Sequence, residues 1–274
     1  MRADVFLASG GYAPSREQAK RLILEGLVTV DGKPLRRAAE EIGEGAHTVT
    51  VSGPERFVSR GGNKLEAALA AFGLNPSGWR ALDIGASTGG FTDCLLRHGV
   101  AEVVAVDSGA GQLAEALRGD PRVRSREHCN ARDLTAETVG GRVRLIVMDV
   151  SFISATLILP RFPALLESVG DAVCLIKPQF EVGRANIGKG GIVRDPRAHR
   201  LAVDRVLDCA SALGLCAAGL IPSPILGGDG NREFLVRLTV GQTFPPLTAK
   251  QVAAVTANAA KGDGYAENCV GNKL

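Results

Sequence analysis

Apolar and polar positions in this chain of 274 residues follow two different periods. From residue 80 onward, strand signals fall near 80–85, 102–107, 122–126, 143–149 and 171–177, and the stretches between them repeat apolar residues at helical spacing. Runs such as Leu145-Ile146-Val147-Met148 are apolar without alternation, as strands buried on both faces are. The alternation of strand and helix therefore predicts βαβ units around a parallel sheet. The last part departs from it. Segments 215–221 and 233–240 read as strands, but the polar turn Gly227-Gly228-Asp229-Gly230-Asn231 between them leaves no room for a crossover helix. An antiparallel pair at the end of the sheet is expected.

Upstream of residue 55 the pattern is that of a smaller unit. Ser15 stands as N-cap to a helix from Arg16 to Glu25, with Ala19, Leu22 and Ile23 on one face and Gly26 as its stop. Leu27-Val28-Thr29-Val30 reads as a short strand turned by Asp31-Gly32, and Thr48-Val49-Thr50-Val51 as a second one. Gly53-Pro54 and Gly61-Gly62 interrupt the periods on either side. The expected divisions are 1–54 for a small α/β module, 55–60 for a linker, 61–246 for the main α/β domain and 247–274 for a C-terminal tail or helix.

Composition agrees with an α/β core. The chain is 45% hydrophobic but only 4% aromatic, so its interior must rest on Leu, Val, Ile and Ala. A net charge of +3 and an isoelectric point near 8.6 permit a nucleic-acid partner without demanding one. The order of charges says more, because Arg16, Lys20 and Arg21 share an exposed side of one helix. The 6 cysteines form no C-x-x-C pair and the 4 histidines no H-x-x-x-H pattern, so no metal site is expected. The N-terminus lacks the apolar run of a signal sequence and no apolar stretch approaches about 20 residues, so a cytoplasmic location and no membrane partner are expected.

Asp83-Ile84-Gly85-Ala86-Ser87-Thr88-Gly89-Gly90-Phe91 joins the first strand of the main domain to a helix. Glycines there let a ligand approach the backbone at a helix N-terminus. Ser87 breaks the G-x-G-x-x-G of dinucleotide enzymes. Gly85-Ala86-Ser87-Thr88-Gly89 does satisfy G-x-S-x-G, the hydrolase elbow, but here it opens the domain instead of following an upstream sheet. His199, the histidine a triad would need, also lacks an acidic partner that stands out. Asp107, at the end of the second strand, is placed to accept ribose hydroxyls. The set Asp83, Gly85 to Phe91, Asp107 and Asp149 is that expected to hold S-adenosylmethionine in a Rossmann-like methyltransferase domain.

Asp149 and Lys177 end adjacent strands, Lys64 lies in the helix before the first strand, and Glu233 begins the last. The carboxyl ends of strands in an open sheet face the ligand crevice. This set resembles the Lys-Asp-Lys-Glu tetrad of ribose 2′-O-methyltransferases related to FtsJ. Ser59-Arg60-Gly61-Gly62-Asn63-Lys64-Leu65, Asp149-Val150-Ser151-Phe152-Ile153, Lys177-Pro178-Gln179-Phe180-Glu181 and Gly230-Asn231-Arg232-Glu233-Phe234 are similar to the corresponding segments of the TlyA family. Ser15-Arg16-Glu17-Gln18-Ala19 and Val28-Thr29-Val30-Asp31-Gly32-Lys33-Pro34 resemble the S4 RNA-binding module that this family carries first.

The resemblance implies a class I fold with an S4-like module, and 2′-O-methylation of cytidine in 16S and, in some members, 23S ribosomal RNA. It implies Lys64, Asp149, Lys177 and Glu233 as catalytic residues, with Lys177 expected to contact the 2′-hydroxyl, Asp149 to hold both amines and Glu233 to fix Lys64 or the ribose. Ribosomal RNA and ribosomal subunits are the implied partners. Arg2, Arg16, Lys20, Arg21, Arg60, Arg184 and Lys189 are the expected RNA contacts. The N/D-P-P-Y signature of amine methylation is replaced by Asp149-Val150-Ser151-Phe152, which favours oxygen as acceptor. The rival expectations are an RNA-binding protein with an inactive methyltransferase fold and, more distantly, a hemolysin, a label some members of the family carry. No basic amphipathic helix supports the latter.

Overall fold

The computed structural model describes residues 1–24, 26–43, 45, 47–51 and 56–258. It divides into two units, Met1–Arg56 and one that begins at Phe57, each described by itself.

In the first unit, helices α1 (Ala3–Ser9) and α2 (Arg16–Leu24) pack with strands β1 (Val28–Val30), β2 (Lys33–Pro34) and β3 (Val49–Val51), in the antiparallel order β2-β1-β3. Ser15 caps α2 as expected, its Oγ accepting the Gln18 N–H at 3.2 Å. Asp31 and Gly32 both take positive φ (51° and 73°), the backbone that a two-residue hairpin turn demands. Residue 25, the expected end of α2, lies outside the described residues. The sequence reading missed α1 and β2, the one a short apolar stretch read without a period, the other only Lys33-Pro34. Leu7, Ala19, Ile23, Val28 and Ile42 form the core of this unit. Asp4 is buried beside them, pairing with Arg2 at 3.0 Å and Arg16 at 3.2 Å, and the Arg2 hydrogen bond foremost holds its carboxyl down at about 2.

The second unit is a three-layer α/β domain. Its strands are β4 (Arg80–Ile84), β5 (Glu102–Val106), β6 (Val123–Arg126), β7 (Val143–Met148), β8 (Leu166–Ile176), β9 (Cys216–Pro222) and β10 (Phe234–Val240). They form one sheet in the order β6-β5-β4-β7-β8-β10-β9. The five strands β4 to β8 are parallel, and β10 runs antiparallel between β8 and β9, so the expected pair at the sheet's end is present. Leu82, Ile84, Ile146 and Met148 face one core with helix α8 (Pro196–Ala212). Ala81, Leu145 and Val147 face the other with α3 (Gly61–Ala71) and α4 (Gly90–Arg97). The remaining helices are α5 (Glu115–Arg118), α6 (Phe162–Leu165), α7 (Pro178–Glu181) and α9 (Ala249–Asn258).

Two details differ from the sequence reading. Between β6 and β7 the chain makes only a 3-10 turn, Ala131–Asp133, because 127–142 is short and ends in Gly140-Gly141, both at positive φ. Strand β8 begins at Leu166, earlier than its apolar run, because Leu166 pairs with Val143 of β7 and the antiparallel pairing with β10 continues down to Gly170. Of the segment expected as linker, residue 55 is outside the described residues, and Phe57 is buried in the second unit with the Arg97 guanidinium over its ring. Of the expected tail, α9 occupies Ala249–Asn258 and residues 259–274 lie outside the described residues.

The sheet is tied at the end remote from the strand termini that carry Asp149 and Lys177. There buried Asp171 accepts from Arg144 Nη1 (2.9 Å), Arg237 Nε and Nη2 (2.9 and 2.7 Å) and Gln242 Nε2 (3.1 Å). Both guanidiniums also lie over rings, Arg144 on Trp79 and Arg237 on Phe244. Removing one partner of a buried ion pair strands the other. Asp171→Ala is expected to lower unfolding stability by about 3 kcal/mol, measured by urea denaturation, without altering ligand binding at the opposite end.

Candidate active site

Strand order reverses on either side of β4, and a crevice forms where the chain leaves β4 and its neighbours. Gly85 sits there at φ 84°; a Cβ on it would lie 2.4 Å from the Asp149 carbonyl oxygen, so only glycine lets β4 and β7 exit side by side. Ser87, also left-handed at φ 48°, donates its N–H to Asp107 Oδ2 at 2.8 Å, and Gly109 N–H donates to Oδ1 at 2.7 Å. Asp107 thus fastens the loop to the end of β5. Ser87 Oγ donates to Gln112 at 3.1 Å, whereas His199 Nε2 hydrogen-bonds the Val193 carbonyl. The G-x-S-x-G match has no triad.

Under the loop, Asp83 is fully buried. Its Oδ2 accepts from Thr92 Oγ1 at 2.6 Å, and its Oδ1 has no partner. Burial, aided by repulsion from Asp149 and Asp107 and opposed by Thr92, pushes its carboxyl up to about 7. A buried acceptor without a donor is costly.

Beside the loop lies a cleft of about 280 Å³, lined by Gly85, Ser87, Lys64, Asp149, Lys177 and their neighbours. Lys64, from α3, reaches Glu233 Oε2 at 2.5 Å just before β10; burial pushes the Glu233 carboxyl up, against the pull of Lys64. Lys177, just past β8, has its Nζ 2.6 Å from Asp149 Oδ1 and donates to Ser151 Oγ at 2.8 Å. The Asp149 contact is an ion pair outside hydrogen-bond angles, since Asp149 Oδ1 has no hydrogen-bond partner. The four residues therefore meet as two lysine–carboxylate pairs. Lys64, Asp149 and Lys177 face the cleft and Glu233 is buried behind Lys64. Asp149 pairs with Lys177 alone, not with both amines.

The segment after Asp149 is zipped to the segment after Lys177. Ser151 takes the Lys177 bond, the Phe152 and Phe180 rings stand 5.5 Å apart, and Glu181 accepts from Ser154 Oγ (2.5 Å) and Ala155 N–H (2.7 Å). Phe152 is left with a positive φ of 66° and 92% of its surface exposed beside the cleft. A large aromatic side chain in that conformation is rare and is retained where neighbours over-determine it.

A family model for FtsJ-like methyltransferases matches residues 57–240, and one for the S4 domain matches residues 1–47. The chain belongs to the FtsJ-like methyltransferases. Within them it is 46% identical, over 91% of its length and 93% of the relative's, to a Mycobacterium tuberculosis protein named 16S/23S rRNA (cytidine-2'-O)-methyltransferase TlyA. It is 41% identical to Hemolysin A of Brachyspira hyodysenteriae, over 88% of this chain and all of that one. A solved Streptococcus thermophilus structure with a hemolysin label superimposes with a TM-score of 0.75 at 42% identity, covering 94% of this chain and 95% of the other. No helix among the described residues is long and apolar enough to cross a membrane.

In this methyltransferase the cofactor-loop candidates and the tetrad come together in the second unit. Arg60 lines the same cleft, while Arg184 and Lys189 are exposed in the loop after α7. In the first unit Arg2 and Arg16 flank Asp4, Lys20 lies 3.8 Å from Glu17, and Arg21 occupies the last turn of α2. Sequence reasoning assigned no role to Ser151, Phe152 or Glu181. All three stood inside motifs that were recognised, but their function depends on which segment faces which.

The raised carboxyl of Asp83 sets a sign. The folded state holds that proton more tightly than the ordinary 3.8, so the stability it contributes is complete below about pH 3.8 and is lost as pH rises through about 7. Asp83→Asn, neutral throughout, should gain in Tm on the ligand-free wild type as pH goes from 4 to 8; a constant difference would refute the assignment.

Proposed function

We propose that this chain transfers the methyl group of S-adenosylmethionine to the ribose 2′-oxygen of a cytidine in ribosomal RNA, acting in the cytoplasm on ribosomal subunits. The observation that carries the reading is the pair of carboxylate-bound lysines at an open cleft beside the glycine loop. The name of the M. tuberculosis relative supports the acceptor, and the N-terminal S4 domain supports an RNA partner.

Asp83, Gly85 to Phe91, Asp107 and Asp149 are the residues that would hold the cofactor, whose sulfonium supplies an activated methyl group for in-line displacement. Gly85, Ala86, Ser87 and Thr88 line the open cleft, a backbone cradle that fits a ligand able to approach the loop closely. Asp149 and Ser151 take up directions around Lys177 Nζ, which leaves the rest of the amine to face a hydroxyl in the cleft. The Lys177 ammonium then holds and polarises the 2′-oxygen in line, the hydroxyl proton passing to water or to the Asp149 carboxylate as the oxygen–methyl bond forms and the methyl–sulfur bond of the donor breaks. Much of the rate in such a displacement comes from that positioning. Lys64, locked to Glu233, adds fixed positive charge where the oxygen must sit. The exposed Phe152 ring offers a face on which a base swung out of its stack can rest.

The test is mass spectrometry of nucleosides from ribosomal subunits incubated with the protein and labelled donor. 2′-O-methylcytidine carrying the label is expected; label in another nucleoside, or none, would overturn the reading. Phe152→Ala should raise KM for RNA roughly tenfold, as loss of one base–aromatic stack does, with cofactor affinity unchanged.

A further inference from the structure

The strap from Gly183 to Arg194 joins α7 to α8 and carries Arg184, Lys189 and Arg194, all three exposed and none in an ion pair among the described residues. Gly183, Gly190 and Gly191 bend it at positive φ. Its far end is clamped. Val193 is buried, its N–H donating to Asn231 Oδ1 at 2.9 Å and its carbonyl accepting from His199 Nε2 at 2.9 Å. Asn231 Nδ2 also donates to the Gly191 carbonyl at 3.0 Å. Both side chains are buried, Asn231 at 1% and His199 at 2% exposure, and burial pushes the imidazole's pKa down.

These clamps sit on the machinery already described. Asn231 precedes Glu233 by two residues, and its carbonyl accepts the Gly227 N–H at 2.9 Å. Gly227 is where a Cβ would fall 2.5 Å from Glu233 Oε1. His199 packs edge-on against Phe234, the next residue after Glu233. At its other end the strap leaves α7 directly after Glu181, on the segment that begins with Lys177. One end of the cationic strap is therefore anchored beside each lysine–carboxylate pair. A buried amide with a partner at both its oxygen and its nitrogen fixes one arrangement at such a junction, because any other leaves buried polar groups unmatched.

We propose that the strap is a clamp for the RNA backbone and that Asn231 is its positioning residue, fixing where Arg184 and Lys189 present their charge relative to Lys64 and Lys177. The proposal rests on the reading of the protein as an RNA methyltransferase. Phosphate contacts made by the strap release counterions, so each contributes close to one unit to the slope of log affinity against log salt. A residue that only supports the fold changes affinity without changing that slope.

The test measures affinity of the full chain for purified small ribosomal subunits between about 50 and 200 mM salt, with S-adenosylmethionine affinity by calorimetry as the control. Arg184→Ala/Lys189→Ala, a surface pair that leaves the core untouched, should flatten the slope by about two. Asn231→Ala, which removes no charge, should flatten it by about as much and weaken binding roughly tenfold, with cofactor affinity within about twofold of wild type. A wild-type slope in either variant overturns the proposal, as does an Asn231→Ala protein that loses cofactor and RNA affinity in parallel. A wild-type chain without salt-dependent affinity would remove the RNA reading, and the clamp with it.

Discussion

The Lys177–Asp149 ion pair is the contact around which the second unit is arranged. Neither group stands free in water: Lys177 is 11% and Asp149 21% exposed at the side chain. A lone charge so placed would pay heavily for lost hydration, whereas the pair is tolerated if its geometry is fixed. That geometry comes from neighbouring parallel strands: Met148, the last residue of β7, lies opposite Cys174, two residues before the end of β8, and each strand delivers one member of the pair directly after its last residue. The requirement propagates outward. Gly85 is glycine because the Asp149 carbonyl backs onto it, Ser151 takes a second direction of Lys177, and Glu181 anchors the chain beyond.

The second pair obeys the same logic with more burial. Glu233 is 169 residues from Lys64 in sequence, and they meet only because β10 is inserted antiparallel between β8 and β9. The antiparallel strand is thus more than a sheet edge: it brings a carboxylate to the end of the sheet where the parallel strands terminate. Asp171 secures the other end, so the same strands are held by charge at both extremities and by aliphatic packing between.

Much of this was legible in the sequence. The strands could be placed because a strand buried on both faces leaves an unbroken apolar run, and Asp149 and Lys177 stood out as charges directly after such runs. The loop at Gly85 was legible because strand, glycines and helix follow one another within a few residues. What could not be read was pairing. Glu233 was expected on Lys64 or on the ribose, but nothing local shows that Asp149 is left to Lys177 alone, or that Glu181 reaches Ser154; those depend on strand order. Phe152 looked like an ordinary apolar residue, and its exposure follows only from the zipper between two loops. The early start of β8 was missed because tertiary pairing, not local pattern, decides it.

The account's central claim is that Lys177 and Asp149 act as one unit, the carboxylate aiming the amine. A double-mutant cycle of single-turnover methyl transfer at saturating RNA and cofactor tests it, with Lys177→Met, Asp149→Asn and the double variant. The account predicts strong non-additivity: each single change slows transfer by at least about a hundredfold, and the double variant is no slower than the worse of the two. Rate losses that multiply in the double variant would show that the two side chains work independently, and would contradict it.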